Sequence, residues 1–220
     1  MAGQLESLDT DEGLARRRHR HWYDRLMMLS DGVFAIAITL LAADITPPTV
    51  FHGGLASLWA TLAPQLDAYA LSFVVISVYW LAHRRFMAMI LTVDAPVTIL
   101  TLAFLGLVAL LPAFTRLTHF QMGSDASMLI YGGLVVSIGV ALAAMWGYAA
   151  LIAGLVSGEV PTSQRWYYFL LILLTPPFFL LLTRILPAAT PGLIPLTLVV
   201  LFLIGASMRR WIVSRLGGPS

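Results

Sequence analysis

Four polar side chains that could bind cations or protons interrupt the apolar stretch 26–45: Ser30, Asp31, Thr39 and Asp44. A carboxylate at the centre of a membrane-spanning helix costs about 2.5–3.5 kcal/mol, and less toward a helix end. Such groups persist where they face protein or water. At about 1.5 Å per residue the stretch is roughly 30 Å long, which is the thickness of one hydrocarbon core. We therefore expect an internal spanning helix, surrounded by the rest of the chain.

Thr39, in the middle of this helix, lies on an otherwise apolar stripe. At about 100° per residue, a stripe roughly 100° wide contains five residues: Gly32, Ile36, Thr39, Leu40 and Ala43. Asp31 lies about 140° from Ile36, so the spacing predicts that the acid does not share this stripe. The pattern fits ordinary helix packing, with the Thr39 hydroxyl bonded to its own backbone carbonyls, and it also fits a functional surface.

A histidine near the predicted inner end of the second helix offers acid–base chemistry. His83 should lie close to Asp31 if the first two helices are antiparallel neighbours. A contact from Asp31 to His83 or Arg84 would satisfy the acid. Structural pairing is the favoured interpretation over proton transfer, and Trp80 and Asp94 extend the same network.

Composition limits the class of protein. The 220 residues are 59% hydrophobic and 11% charged, with a mean hydropathy of +0.86, whereas soluble domains carry about 25% charged residues. The absence of cysteine excludes disulfides, thiolate nucleophiles and cysteine-ligated metals. Phosphate-binding loops, dinucleotide fingerprints and zinc-protease motifs are also absent. The sequence predicts a membrane protein that is not an enzyme and uses no cofactor.

Hydropathy predicts an all-α fold with six transmembrane helices. We expect a tail at 1–21, disordered in its first half, a membrane domain at 22–213 and a short tail at 214–220. The predicted spans are 26–45, 64–82, 96–114, 127–150, 166–186 and 193–211. In the fourth span, three small residues spaced by four predict close helix approach: Gly139, Ala143 and Gly147.

Arginine distribution predicts the orientation. With six spans, eleven of the thirteen arginines lie on the side of both termini, and only Arg116 and Arg184 lie on the other side. Positive residues concentrate on the cytosolic side of membrane proteins, so both termini are predicted to be cytosolic. The basic run at 16–20 is interpreted as a topology signal near anionic headgroups, not as a nucleic-acid site.

The first helix resembles the first-helix motif of the transmembrane protein 175 family, the endolysosomal potassium channels and their prokaryotic relatives. That motif is Arg, three residues, Phe-Ser-Asp and then Gly-Val-Phe-Ala-Ile-Ala-Ile-Thr-Leu-Leu. Here Arg25 precedes Leu29-Ser30-Asp31, and residues 32–41 match the remainder. Leu29 stands where the family has Phe. The resemblance extends to about residue 116, through an aromatic pair before His83 and a Leu-Leu-Pro exit from the third helix.

The resemblance implies a homotetramer in which helix one lines a central pore that prefers potassium to sodium. It implies a hydrophobic pore constriction made of Ile36, Leu40 and Ala43, and transient potassium coordination at Thr39. It implies a bracing network made of Arg25, Ser30, Asp31, Trp80, His83 and Asp94. The expected partners are the bilayer and monovalent cations, and the expected location is the plasma membrane of a prokaryote.

Two other functions are compatible with the residues. A secondary transporter could use Asp31 and His83 as a proton relay, although such proteins tend to show inverted repeats and broken helices. A non-conducting membrane scaffold is the other alternative. Asp44 and Asp67 lie toward the predicted outer side, either as solvated acids at loop ends or as charges that attract cations to an entrance.

Overall fold

The computed structural model describes residues 2–46, 54–120 and 125–185, and it consists of helices joined by short connections. The helices are α1 (Ala2–Ala43), α2 (Leu55–Met87), α3 (Ala95–Phe120), α4 (Asp125–Gly147) and α5 (Thr162–Ile185). A π-helical turn, Tyr148–Ile152, continues α4. The predicted sixth span and the predicted tail at 214–220 lie outside the described residues.

Four of these helices are long and apolar enough to cross a membrane. The candidate spans are His21–Ala43, Leu55–Met87, Ala95–Leu117 and Leu129–Ile152. They coincide with the first four predicted spans, and the all-α class is confirmed. The count of six spans stays a prediction.

Two predicted boundaries were wrong. Residues 2–20, whose first half was expected to be disordered, form a continuous extension of α1. The second helix was predicted to begin at about Pro64. It begins nine residues earlier, at Leu55, and Pro64 lies inside it. The segment before Pro64 is rich in Leu and Ala, which are strong helix formers.

One face of α1 anchors it to the bundle. The residues at helical spacing on this face are buried against α2 and α3: Leu26, Ser30, Phe34, Ala37 and Leu41. The Phe34 ring lies 5.9 Å from the Phe104 ring of α3, measured between centroids. This packing fixes the rotation of α1 about its axis, and therefore which residues its opposite face presents.

Glycines on α4 let α5 approach closely, as the spacing of small residues predicted. A Cβ at Gly139 would lie 2.5 Å from the Pro176 Cγ, and one at Gly147 would lie 2.8 Å from a Phe169 ring carbon. Any larger side chain at these positions would force the two helices apart. Pro176 is one of two adjacent prolines inside α5, so the glycine accommodates the ring that the proline brings.

The connections at one end of the bundle are tied together. Ile90, just after α2, forms an antiparallel bridge with Val156, and the Leu91 amide donates to the Leu155 carbonyl at 2.9 Å. The Arg165 guanidinium donates to three backbone carbonyls, those of Ala150, Ser157 and Val160, at 3.0–3.2 Å. These bonds hold the turns after α2 and after the π-helical turn against each other.

Candidate functional site

The face of α1 opposite its anchor is uncovered. Its exposed residues between positions 26 and 43 are defined here as the open stripe: Met28, Leu29, Asp31, Gly32, Ala35, Ile36, Thr39, Leu40, Ala42 and Ala43. Ile36 is 60% exposed and Leu40 is 49% exposed. All five residues of the predicted apolar stripe belong to it. A long run of exposed apolar side chains on a helix that is anchored on its other side marks an interaction surface or a lipid-facing surface.

Thr39 is the hydroxyl of the open stripe. Its Oγ1 donates to the Ile36 carbonyl at 2.9 Å, and the side chain is exposed. The back-bond that the pattern predicted is therefore present. Because the hydroxyl proton is engaged by the backbone, the oxygen keeps its lone pairs directed outward, where they can accept a bond or coordinate a cation.

The carboxylate of Asp31 is held by an indole. Trp80 Nε1 on α2 donates to Asp31 Oδ1 at 2.8 Å. The guanidinium carbon of Arg84 lies 5.2 Å from the centroid of the Trp80 ring, within cation–π range. Trp80 thus lies between an anion and a cation, and the chain of contacts joins α1 to the end of α2. Ser30, next to Asp31, is fully buried and donates to the Leu26 carbonyl at 2.8 Å.

The predicted partner of Asp31 was wrong. Asp31 is exposed, and within the described residues it bonds neither His83 nor Arg84 directly. His83 is 1% exposed and stacks on Phe104, with ring centroids 5.3 Å apart and planes inclined by 16°. Its Nε2 has no hydrogen-bond partner in the described part of the chain. The rotation of α2 relative to α1 places the Trp80 indole opposite the Asp31 carboxylate. The His83 imidazole lies one turn further along α2.

Two other members of the predicted network lie apart from it. Asp94 caps α3, since its Oδ1 accepts from the Val97 amide at 2.9 Å, and its Oδ2 accepts from the Tyr148 hydroxyl at 2.8 Å. It therefore ties α3 to the π-helical turn and contacts neither Trp80 nor Asp31. Arg25 is exposed. The structure unites Ser30, Asp31, Trp80 and His83 around the α1–α2 contact and leaves Arg25 and Asp94 outside it.

The outer acids differ from each other. Asp44 Oδ1 lies 3.7 Å from Arg116 Nη1, and both side chains are partly exposed, so this is a surface ion pair. Asp67 was interpreted as a loop-end acid, but it lies inside α2, where it is exposed. At the same end, Gln65 binds the backbone three residues beyond α1: the Thr46 amide donates to Gln65 Oε1 at 2.9 Å, and Gln65 Nε2 donates to the Thr46 carbonyl at 3.2 Å.

Sequence reasoning missed a buried polar group between α2, α3 and α4. Ser72 Oγ lies 2.8 Å from Thr115 Oγ1 and 3.0 Å from the Tyr131 hydroxyl. Two turns along α2, the Tyr79 hydroxyl donates to the Val135 carbonyl at 2.7 Å. The signal was present, because Ser72, Tyr79 and His83 are spaced by seven and four residues and therefore share one helical face. These bonds make α2 a fixed support for α1.

The Asp31–Trp80 bond yields a testable prediction. We expect Asp31→Ala to lower oligomer yield and Tm, because a hydrogen bond worth about 1 kcal/mol net is lost between two helices. Trp80→Phe should cost at least as much, because it also replaces the ring that Arg84 contacts, and the two costs should be less than additive in the double variant, because both changes break the same hydrogen bond. Differential scanning fluorimetry of purified protein measures this. Asp67→Ala, an exposed acid of α2, is the matched control and should leave Tm unchanged. A stable Asp31→Ala oligomer with altered ion preference would contradict a structural role.

The fold and this site define an all-α membrane protein that crosses the bilayer several times, with one face of α1 left uncovered. A family model described as the endosomal/lysosomal potassium channel TMEM175 matches residues 25–112, which include the open stripe, Trp80 and His83. Together with the relatives described next, this match supports a relationship to the TMEM175 family and its prokaryotic members.

Bacterial relatives are similar over more than half of the chain. A potassium channel of Streptomyces collinus is 34% identical over 129 residues, which are 56% of this chain and 62% of the relative. A potassium channel of Chamaesiphon minutus is 34% identical over 134 residues, 57% of this chain and 65% of the relative. The alignments thus span somewhat less than two thirds of either relative. The human endosomal/lysosomal proton channel TMEM175 is 26% identical over 63% of this chain and 28% of its own.

Solved structures extend the likeness to the fold. The crystal structure of a lysosomal potassium-selective channel TMEM175 homologue from Chamaesiphon minutus superposes with a TM-score of 0.66 at 27% identity, covering 84% of this chain and 98% of that one. A variant of the potassium channel MtTMEM175 shares the fold at 20% identity, with a TM-score of 0.55.

Proposed function

We propose that this protein is a potassium-permeable channel, a homotetramer in which four copies of α1 surround a central pore. The observation that carries the proposal is the open stripe: α1 is anchored through one face and presents Ile36 and Thr39 on the other. Four such stripes facing one axis would cover one another's apolar surface. They would also bring four hydroxyls together at one level.

The mechanism follows from the chemistry of two neighbouring levels. A ring of Ile36 side chains offers an ion no polar group to replace the water that it loses. Such apolar rings also close pores to ions by dewetting. A ring of Thr39 oxygens, each with its proton committed to the Ile36 carbonyl, replaces part of the hydration shell of a cation. Potassium gives up water more readily than sodium, so this exchange favours potassium. The TVGYG carbonyl filter of other potassium channels does not occur in the sequence.

Two further residues belong to the proposed lining. Leu40 and Ala43 are exposed on the open stripe beyond Thr39, and they continue the lining toward the outer end. The contacts behind α1 keep these levels in place, because Ser30 and Phe34 are buried and Asp31 is held by Trp80. We infer a supporting role for Ser30, Asp31, Trp80 and His83, because they lie at or beside the contact between α1 and α2.

The orientation is part of the proposal. Arginines of the α2 end, Arg84 and Arg85, lie on the side to which the basic run at 16–20 also belongs. This distribution supports cytosolic termini in the cell membrane of a prokaryote. A reporter fused after residue 220 should therefore behave as cytosolic, and a periplasmic readout would contradict this orientation.

A second candidate for the permeant ion is the proton. It is favoured by the human relative, which is named a proton channel. A proton can pass a narrow constriction that a hydrated metal ion cannot, so the two ions need separate measurements on the same preparation.

Purified protein in liposomes tests the proposed function. We expect potassium to leave potassium-loaded vesicles down its gradient without any coupled ion. Sodium should leave sodium-loaded vesicles more slowly. Internal pH, followed with a dye in the same vesicles, reports proton flux. Strict exchange, with no net flux unless a second gradient is supplied, would indicate a transporter. Flux equal to that of empty liposomes, from protein that is folded and oligomeric, would indicate a non-conducting scaffold.

A further inference from the structure

The centre of the open stripe is a glycine. Taking about 100° per residue, Met28 lies roughly 40° to one side of Gly32 and Ile36 roughly 40° to the other, while Leu29 and Leu40 lie roughly 60° and 80° away. The two side chains nearer to Gly32 are the more exposed, 73% for Met28 and 60% for Ile36, compared with 48% for Leu29 and 49% for Leu40. Exposure is therefore greatest in the direction of Gly32.

The packing of this subunit gives no reason for the glycine. A Cβ built at Gly32 meets nothing within 4 Å, in contrast to Gly139 and Gly147, and Gly32 has ordinary helical backbone with no positive φ. Glycine inside a helix is destabilising relative to alanine. Gly106 and Gly133 are equally unobstructed helical glycines, so what distinguishes Gly32 is its place on the outermost line of α1, at the centre of the open stripe.

Gly32 cannot turn away from this direction. The two residues before it are fixed, Ser30 by burial and Asp31 by its bond to Trp80, and Phe34 after it is buried between His83 and Phe104. Around a fourfold axis, the middle of each stripe faces the axis and its edges face the neighbouring copies. Asp31 and Leu40 lie at the two edges, about 100° and about 80° from Gly32.

We propose that Gly32 keeps the pore wide at its own level, one turn below Ile36. This inference rests on the proposed channel function and deepens it. With no side chain at this level, a cation approaching from the inner side keeps its water until it reaches the Ile36 ring. Gly32 is then a positioning residue for permeation: it keeps the apolar barrier from extending inward below Ile36, while the Thr39 oxygens lie directly beyond Ile36.

The test is a graded series at Gly32 with a matched series elsewhere. Gly32→Ala and Gly32→Leu are reconstituted in liposomes, and potassium flux is measured beside oligomer size and Tm. Gly133→Ala and Gly133→Leu are the controls, because Gly133 is also an exposed helical glycine whose added Cβ meets nothing within 4 Å, but on α4. Wild-type flux is measured in parallel and tests the proposed function itself.

We expect the Gly32 variants to remain oligomeric, with Tm unchanged or raised for the alanine, while potassium flux falls in Gly32→Ala and is nearly lost in Gly32→Leu. The Gly133 variants should conduct like the wild type. Wild-type flux with undiminished flux in Gly32→Leu would overturn the inference and leave the channel intact. Loss of the oligomer in Gly32→Ala would also overturn it, because the glycine would then serve contact between subunits. Absence of wild-type flux would overturn the proposed function.

Discussion

Replacing Ile36 by asparagine should raise potassium flux strongly. The Ile36 side chain is 60% exposed on the open stripe, so the amide meets no packed neighbour in its own subunit. Four amides at this level would wet the constriction and hydrogen-bond to water that an apolar ring excludes. Lowering the barrier by about 1.4 kcal/mol multiplies the rate about tenfold. Flux of Ile36→Asn oligomers in liposomes measures the effect.

Ile36→Val is the matched control for this substitution. It keeps an apolar, β-branched side chain at the same position, so its flux should stay near that of the wild type. Folding is monitored through oligomer size, which neither change should alter. Unchanged flux in a folded Ile36→Asn oligomer would mean that Ile36 faces lipid or packs against protein, and that ions do not pass along the open stripe.

Replacing Thr39 by valine should abolish most of the preference for potassium while leaving a conducting pore. Valine has nearly the shape of threonine but no oxygen, so the change removes only the acceptor that the Oγ1–Ile36 bond directs outward. With valine, neither ion exchanges its water for a protein oxygen at this level, so the difference between their hydration energies no longer separates them there. The ratio of potassium to sodium flux, measured on one preparation under equal gradients, should fall toward one.

Thr39→Ser provides the control, because it restores a hydroxyl that can make the same back-bond. Its flux ratio should lie close to that of the wild type. If valine and serine gave equal ratios, ion preference would have its origin at another level of the stripe. If both variants lost all flux, Thr39 would be needed for the structure of the oligomer and not for discrimination between ions.

The open stripe is the part of the site that could be predicted best from the sequence. Its five predicted members share one face at helical spacing, and the structure leaves all five exposed. Spacing fixes which residues share a face, because the helix has a fixed pitch. It does not reveal how neighbouring helices are rotated, and for that reason the partner of Asp31 was predicted to be His83 or Arg84 when it is Trp80.

Boundaries and caps were harder for a different reason. Pro64 resembles a helix start locally, but the preceding Leu- and Ala-rich segment extends α2 through it. Asp94 was grouped with Asp31 because both are acids near the predicted inner side. It instead caps α3 and bonds Tyr148, a residue 54 positions later in the chain. Contacts between residues so far apart depend on the packing of α3 against α4, and no local pattern encodes that.

Whether α1 lines a conducting pore can be tested most directly with a single thiol. The chain has no cysteine, so Thr39→Cys carries the only one, and a charged, membrane-impermeant methanethiosulfonate reagent adds bulk and charge there. Leu102→Cys, at an exposed position of α3, is the matched control. A pore lined by α1 requires that the reagent stop potassium flux through Thr39→Cys oligomers and leave Leu102→Cys flux unchanged. Undiminished flux through Thr39→Cys oligomers, with modification proven by mass, would contradict it.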